Sequence, residues 1–248
     1  MRGVTIGEGI PKIIVPVTGS TPEQLRAQVT ALAGVPADMV EWRADHYRGL
    51  DDIHDVVAVA RTLTEHLAER PLLFTCRTSA EGGQAAIDDK RYAELNTALI
   101  ESGTADLVDV EYQRDRAAVD RIIAAARAHG VPVIASHHDF TGTPSKDEII
   151  SRLRQMQELG ADICKIAVMP HSAADVLTLL DATHTMRQEH ADRPLITVAM
   201  GGLGLVSRLS GQVFGSAATF AAAGAASAPG QIDVRDVRTV LKLFDQAR

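Results

Sequence analysis

Val131-Pro132-Val133-Ile134-Ala135-Ser136-His137 is an apolar run, Lys146 to Leu159 repeats apolar residues at helical spacing, and Ile163-Cys164-Lys165-Ile166-Ala167-Val168-Met169 is apolar again. Strand, helix of ten or more residues, strand is the unit of a parallel sheet. The same alternation extends in both directions. Strands are predicted at 12–17, 39–45, 72–77, 107–111, 131–137, 163–169, 195–200 and 216–220. Helical patterns lie between and after them at 22–33, 53–68, 90–101, 117–129, 146–159, 173–190, 205–211 and 234–247. Eight such units in 248 residues fit a closed (β/α)8 barrel, with residues 1–11 as an extension before the first strand. An open doubly wound sheet is the alternative. Its dinucleotide form wants G-x-G-x-x-G after the first strand, and Val17-Thr18-Gly19-Ser20-Thr21 lacks that spacing.

Several helix starts are explicit. Thr21-Pro22-Glu23-Gln24 offers a hydroxyl cap, proline at the first helical position and a Gln that can close a capping box. Ser172-Ala173-Ala174-Asp175 repeats the box with a shorter acid, and Thr143-Pro144 gives cap and proline but sets Lys146 where an acid is better. Met200-Gly201-Gly202-Leu203-Gly204 reads as a tight loop whose N–H groups face an anion.

Composition narrows the function. At 46% hydrophobic residues the chain can bury a full core, and the absence of a Ser/Gly/Pro linker favours a single domain. A net charge of −7 without basic tails argues against nucleic acid. The apolar runs are too short to span a membrane and the first residues have no secretory segment, so a cytoplasmic protein is expected. Cys76 and Cys164 make neither a metal nor a redox pattern, and are expected as buried free thiols facing away from Arg77 and Lys165.

Within that core, charged residues collect near strand ends, where a barrel keeps its chemistry. Lys165 sits in the middle of an apolar strand. Desolvation favours the neutral, nucleophilic amine; the alternative is a structural cation paired with Glu41 or Glu111. Glu41, Arg43 and Asp45 share one face of the second strand, either as an internal salt network or as substrate ligands. Arg77 ends the third strand and Glu81 follows on a glycine-bearing loop, from which it can approach a histidine. Asp109 and Glu111 share a face of the fourth strand and read as wall electrostatics. His137 and His138 point to opposite sides if the strand reaches them, and one of them suits proton transfer. A structural or metal-binding histidine is the competing reading, although no third ligand stands at metal-site spacing. Arg208 can hold a carboxylate, and Ser227 and Gln231 lie on a small-residue segment, 225–231, that serves as a lid or as an ordinary connection.

Taken in order, Lys12-Ile13-Ile14-Val15, Glu41-Trp42-Arg43-Ala44-Asp45, Phe74-Thr75-Cys76-Arg77 with Glu81-Gly82-Gly83, Ser136-His137-His138-Asp139-Phe140, Lys165-Ile166-Ala167-Val168-Met169-Pro170, and Ser207-Arg208-Leu209 through Phe220 to Ser227-Ala228-Pro229-Gly230-Gln231 resemble the type I 3-dehydroquinate dehydratases of the shikimate pathway. The resemblance implies a single-domain (β/α)8 TIM barrel that converts 3-dehydroquinate to 3-dehydroshikimate without metal or cofactor, commonly as a homodimer. It implies Lys165 as the Schiff-base lysine, His138 as general acid/base and Glu81 as the partner of that histidine. Glu41, Arg43 and Arg77 match residues that hold ring hydroxyls. Arg208, Ser227 and Gln231 match the carboxylate clamp and closing loop, and Met200 and Phe220 match apolar wall. His137 departs from the pattern, which has Asn before the histidine. Another Schiff-base barrel lyase, such as an aldolase, and a non-catalytic barrel that binds a polyhydroxy carboxylate are the alternatives.

Overall fold

Alternate residues of each strand part to two sides in the computed structural model, which describes residues 1–224 and 226–247. The strands are β1 (Lys12–Val17), β2 (Met39–Arg43), β3 (Leu72–Thr75), β4 (Leu107–Glu111), β5 (Val133–Asp139), β6 (Ile163–Val168), β7 (Leu195–Ala199) and β8 (Ala218–Phe220). All pair in parallel, in the order β7-β6-β5-β4-β3-β2-β1-β8. Closure between β7 and β8 rests on a bridge, with Ala217 N donating to Leu195 O at 2.7 Å. The helices are α1 (Pro22–Ala31), α2 (Ile53–His66), α3 (Asp89–Glu101), α4 (Arg116–His129), α5 (Lys146–Glu158), α6 (Ala173–Thr185), α7 (Leu205–Phe214) and α8 (Val234–Gln246). The result is a single-domain (β/α)8 TIM barrel. Among the described residues no helix is long and apolar enough to cross a membrane.

Outward residues such as Val40, Trp42, Phe74, Val108 and Val110 pack on the helices in one large cluster, and Cys164, Ile166 and Val168 join a second. Cys76 and Cys164 are buried free thiols in these two clusters, opposite Arg77 and Lys165. The inward residues form a third cluster whose floor is Met39, Leu73, Leu107, Ile134, Ile163, Ile196 and Ala218. Residues 1–11 contribute to it: Ile6 is buried there, with Met1 and Val4 packed alongside. Arg2 ties this segment to the α2 and β4 ends through Asp106 at 3.1 Å and Thr64 O at 3.3 Å.

Several boundaries differ from the sequence reading. β2 ends at Arg43 and Asp45 lies in a 3-10 turn, Ala44–His46; β3 ends at Thr75, leaving Arg77 beyond the ladder. β5 begins later, at Val133, and runs two residues past the predicted end, because pairing with β6 continues through His138 and Asp139. α6 gives way to a π-helical turn at Met186–His190, and α7 continues to Phe214. The cap of α5 is Ser145, not Thr143, which sets Glu148 at the third position, where its N–H reaches the Ser145 hydroxyl at 3.3 Å. Gln24 turns back to Ser20 N at 2.8 Å instead of closing a box on Thr21. The Ser172–Asp175 box is complete.

Because Ile6 closes the barrel floor, Ile6→Ala is expected to lower unfolding stability by about 2 kcal/mol. Urea denaturation measures this as a lower midpoint with an unchanged slope.

Candidate active site

Climbing the barrel interior from floor to mouth, the inward residues turn from apolar to ionisable on one side only. β2 goes from Met39 to Glu41 and Arg43, β3 from Leu73 to Thr75 and on to Arg77, β4 from Leu107 to Asp109 and Glu111, β5 from Ile134 to Ser136 and His138, and β6 from Ile163 to Lys165. On the other side Ala167, Val198, Met200 and Phe220 remain apolar. One cavity meets both sides. Glu41, Arg43, Arg77, Glu81, His138, Lys165, Met200, Arg208, Phe220, Ser227 and Gln231 all line it, so the residues singled out from the sequence converge. Phe140, Ala167, Val198, Ala228 and Pro229 complete much of the apolar wall.

Arg77 organises the ionisable side. Its Nη2 donates to Asp109 Oδ1 at 2.5 Å, and its Nη1 to Glu111 Oε1 at 3.1 Å, Ser136 Oγ at 3.1 Å and Glu81 Oε2 at 3.4 Å. Burial opposes its charge, but Asp109, Glu81 and Glu111 hold the guanidinium protonated well above its ordinary range. Lys165 Nζ donates to the other oxygen of Asp109 at 2.9 Å and lies 4.5 Å from the centre of the Phe220 ring. Its acidic partner is therefore Asp109, and neither Glu41 nor Glu111. Burial would raise the Asp109 carboxyl; the Arg77 and Lys165 charges and the Ser136 bond outweigh it and bring it down to about 2.

Arg43 is clamped in bidentate fashion by Asp45, at 2.8 and 2.9 Å. Asp45 also accepts from the backbone of Arg77 and Gln84, which fastens the loop after β3. Within that loop Gly83 is required by space: a Cβ there would lie 2.0 Å from Arg77 O. The loop delivers Glu81 to the end of β5. Glu81 Oε2 accepts from His138 N at 3.1 Å and from His138 Nδ1 at 2.9 Å, and Oε1 meets His137 Nδ1 at 3.2 Å. Burial alone would raise the Glu81 carboxyl, but the two imidazoles and Arg77 hold it below its ordinary value. An ionised carboxylate only accepts, so Nδ1 of His138 carries hydrogen, and its Nε2 is the nitrogen left for the cavity. Burial, then the Arg77 charge, push the His138 imidazole well below 6.5 against the pull of Glu81, so the ring is neutral at pH 7. His138 stands two residues beyond the level of Lys165 on the adjacent strand, about 7 Å along it.

Arg208 is different. It is 3% exposed, donates to Pro229 O at 2.9 Å and Phe220 O at 3.4 Å, and faces no carboxylate among the described residues. Its Nε has no hydrogen-bond partner among the described residues, and burial pushes its pKa down to about 10. The segment above it is held in place. Pro229 O also accepts from Gly201 N at 3.2 Å, Gln231 Oε1 accepts from Ser227 N and Oγ at 2.9 and 3.2 Å, and a Cβ on Gly230 would lie 2.3 Å from Gly201 O. The Gly201 N–H is thus spent on the segment and is not free for an anion. Ala225, the first residue of the predicted lid, lies outside the described residues.

Two features escaped the sequence reading. Asp109 was a wall residue there, yet it is the carboxylate on the lysine. Both histidines, expected on opposite sides, converge on Glu81, with His137 held edge-on against the Tyr112 ring at 5.8 Å.

A (β/α)8 barrel with ionisable groups gathered at its C-terminal mouth is the architecture of an enzyme. The chain belongs to the type I 3-dehydroquinase family, whose sequence profile matches residues 13–248, and with it to the dehydratases of the shikimate pathway. It is 51% identical over 244 residues to the 3-dehydroquinate dehydratase of Listeria welshimeri, covering 98% of this chain and 96% of that protein. It is 48% identical over 247 residues to the Escherichia coli enzyme, covering 100% and 98%. A type I 3-dehydroquinate dehydratase from Clostridium difficile, solved with covalent modified comenic acid, superposes with a TM-score of 0.97 at 44% identity, over 100% of this chain and 97% of that one. A 3-hexulose-6-phosphate synthase, 17% identical with a TM-score of 0.62 over 92% and 99%, shares the fold alone.

A neutral, largely enclosed His138 has a signature in stability. The unfolded chain takes up a proton near 6.5 that the folded chain takes up only at lower pH. Below 6.5 the unfolded state therefore binds more protons, and this group's contribution to stability falls with pH. The stability difference between wild type and His138→Gln is expected to shrink from pH 7 to pH 5, as read by urea denaturation at each pH; a constant difference would mean an ordinary imidazole.

Proposed function

We propose that this chain dehydrates 3-dehydroquinate to 3-dehydroshikimate by syn elimination through a Schiff base on Lys165, with His138 as general acid/base. One observation carries the reading: a single cavity presents a buried amine, a neutral imidazole oriented by a carboxylate, and a buried guanidinium facing no acid. These match a substrate with a ketone, an acidic hydrogen beside it and a carboxylate. The names of the relatives point to the same substrate.

The steps follow from the groups. Once its ammonium has released a proton to solvent, the Lys165 amine adds to the C3 ketone, and His138 shuttles protons as the carbinolamine loses water to leave a protonated imine. The imine acidifies the C2 hydrogen, because the electrons released there delocalise into an enamine. His138 Nε2 removes that proton; as the enamine collapses, the C1–O bond breaks and the imidazolium returns the proton to the departing hydroxyl. One base serving both steps requires both groups on the same face, hence syn elimination. Hydrolysis of the conjugated imine releases the product and restores Lys165. Arg208 fixes the carboxylate, while Glu41, Arg43 and Arg77 hold the hydroxyl-bearing side of the ring. Met200 and Phe220 bound its apolar face, and the Ser227–Gln231 segment covers it. All of the steps use side chains of the protein and water, without metal or cofactor. A homodimer, common in the family, is the assembly expected of this chain.

Borohydride added with 3-dehydroquinate or product is expected to reduce the imine and fix an adduct that peptide mapping places on Lys165. A Lys165→Met protein should stay folded, gain no adduct and lose turnover by more than about 1,000-fold. Near-normal turnover, or an adduct elsewhere, would remove Lys165 from the mechanism. Carbon–carbon cleavage in place of the ultraviolet absorbance of an enone would favour an aldolase, and absence of any adduct a binding protein.

Arg208 makes the opposite trade. Arg208→Met is expected to leave stability within about 1 kcal/mol of wild type, since a buried charge without an acid is replaced by an apolar stem. It should lower kcat/KM roughly 100-fold, mainly through KM. Steady-state kinetics beside urea denaturation check both halves.

A further inference from the structure

Resting on that reading of His138, one side chain outside the cavity has a place in it. The two oxygens of Glu81 are unequally shared. Oε2 takes His138 N, His138 Nδ1 and Arg77 Nη1, at 3.1, 2.9 and 3.4 Å, whereas Oε1 meets only His137 Nδ1, at 3.2 Å, among the described residues. Glu81 is 7% exposed, so solvent offers Oε1 little in exchange. His137 lies on the other side of the β5 pleat from His138, yet Glu81 overhangs the strand end and is reached from both sides. The His137 ring is itself set, edge-on at 86° to Tyr112. Its partner is an ionised carboxylate, so Nδ1 is the donor.

We propose that His137 is a positioning residue: its Nδ1–H fixes Glu81 Oε1, which keeps Oε2 on Nδ1 of His138 and aims Nε2 of His138 at the proton to be moved. Without it the carboxylate can turn about its last bond to satisfy Oε1, and the tautomer and plane of His138 are no longer imposed. The principle is the one by which an outer partner orients a reacting imidazole.

Leu and Asn separate donation from bulk, because they have the same branched shape and only Asn carries N–H where the imidazole has Nδ1. His137→Leu is expected to lower kcat about 10-fold with KM for 3-dehydroquinate within about twofold. His137→Asn should bring kcat back to within about threefold of wild type. Borohydride trapping should still label Lys165 in both, since the amine is untouched. Circular dichroism and thermal midpoints establish that each is folded, and His137→Ala replaces the leucine protein if that one is not. A leucine protein with wild-type kcat, an equal fall in the asparagine protein, or a loss carried by KM would each overturn the assignment. If wild type itself fails to form the adduct, the underlying reading of the site fails instead.

Discussion

The guanidinium of Arg77 is the charge on which the mouth of this barrel depends. Asp109, Glu111 and Glu81 come from two different parts of the chain and meet around it in a region closed to solvent. Three carboxylates cannot all ionise in such a place without a cation among them. With Arg77 among them, each is available for a second task. Asp109 holds the Lys165 ammonium, Glu111 accepts from Thr78 N and Oγ1 at 2.7 Å each and so fastens the start of the loop, and Glu81 sets the plane and tautomer of His138. Arg77 reaches the reaction through its neighbours as much as through any contact of its own.

The apolar half of the mouth works by contrast. Around Arg208 stand Phe220, Met200 and the Ser227–Gln231 segment, and among the described residues no acid pairs with it. An anion entering there meets a cation whose charge is little screened, so attraction is stronger than at a solvated site. The segment that covers it is tied to the same side chain through Pro229 O, and Gly230 permits its close approach to Gly201. Arg208 and the cover of the cavity are therefore mechanically joined, and in the proposed mechanism this would keep water from the imine.

Most of the fold was legible because alternation of apolar residues states both the element and its two faces. The site was legible in kind: a lysine in Ile163–Val168 or an arginine after Leu72–Thr75 is too costly to desolvate for no reason. Partnership was not legible, because it depends on register and on competition. Through Ser136, Lys165 lies level with Glu111, two residues above Asp109. Level alone selects Glu111 for the lysine. Glu111 is already taken by Arg77 and by Thr78, so the amine reaches down to Asp109. The convergence of both histidines on Glu81 was hidden for a similar reason. Strand pleat puts them on opposite sides, but the position of a loop carboxylate over the strand end cannot be read from the pleat.

The places where local rules are broken are the places where chemistry is proposed. Trp42, Phe74, Leu95 and Leu99 fill the outer layer with no exposed surface, as large apolar residues of a core do. Above the floor, the inner layer holds an imidazole that resists protonation and, among the described residues, a guanidinium without an acid. Each costs stability in the free protein, and each has an evident gain only when a ligand arrives: the neutral ring to receive a proton, the lone cation to receive a carboxylate. Arg77 shows what the chain does when a buried charge holds the frame together, for it surrounds that one with acids. Leaving Arg208 without one, in the same cavity, marks it as a binding group rather than as part of the frame.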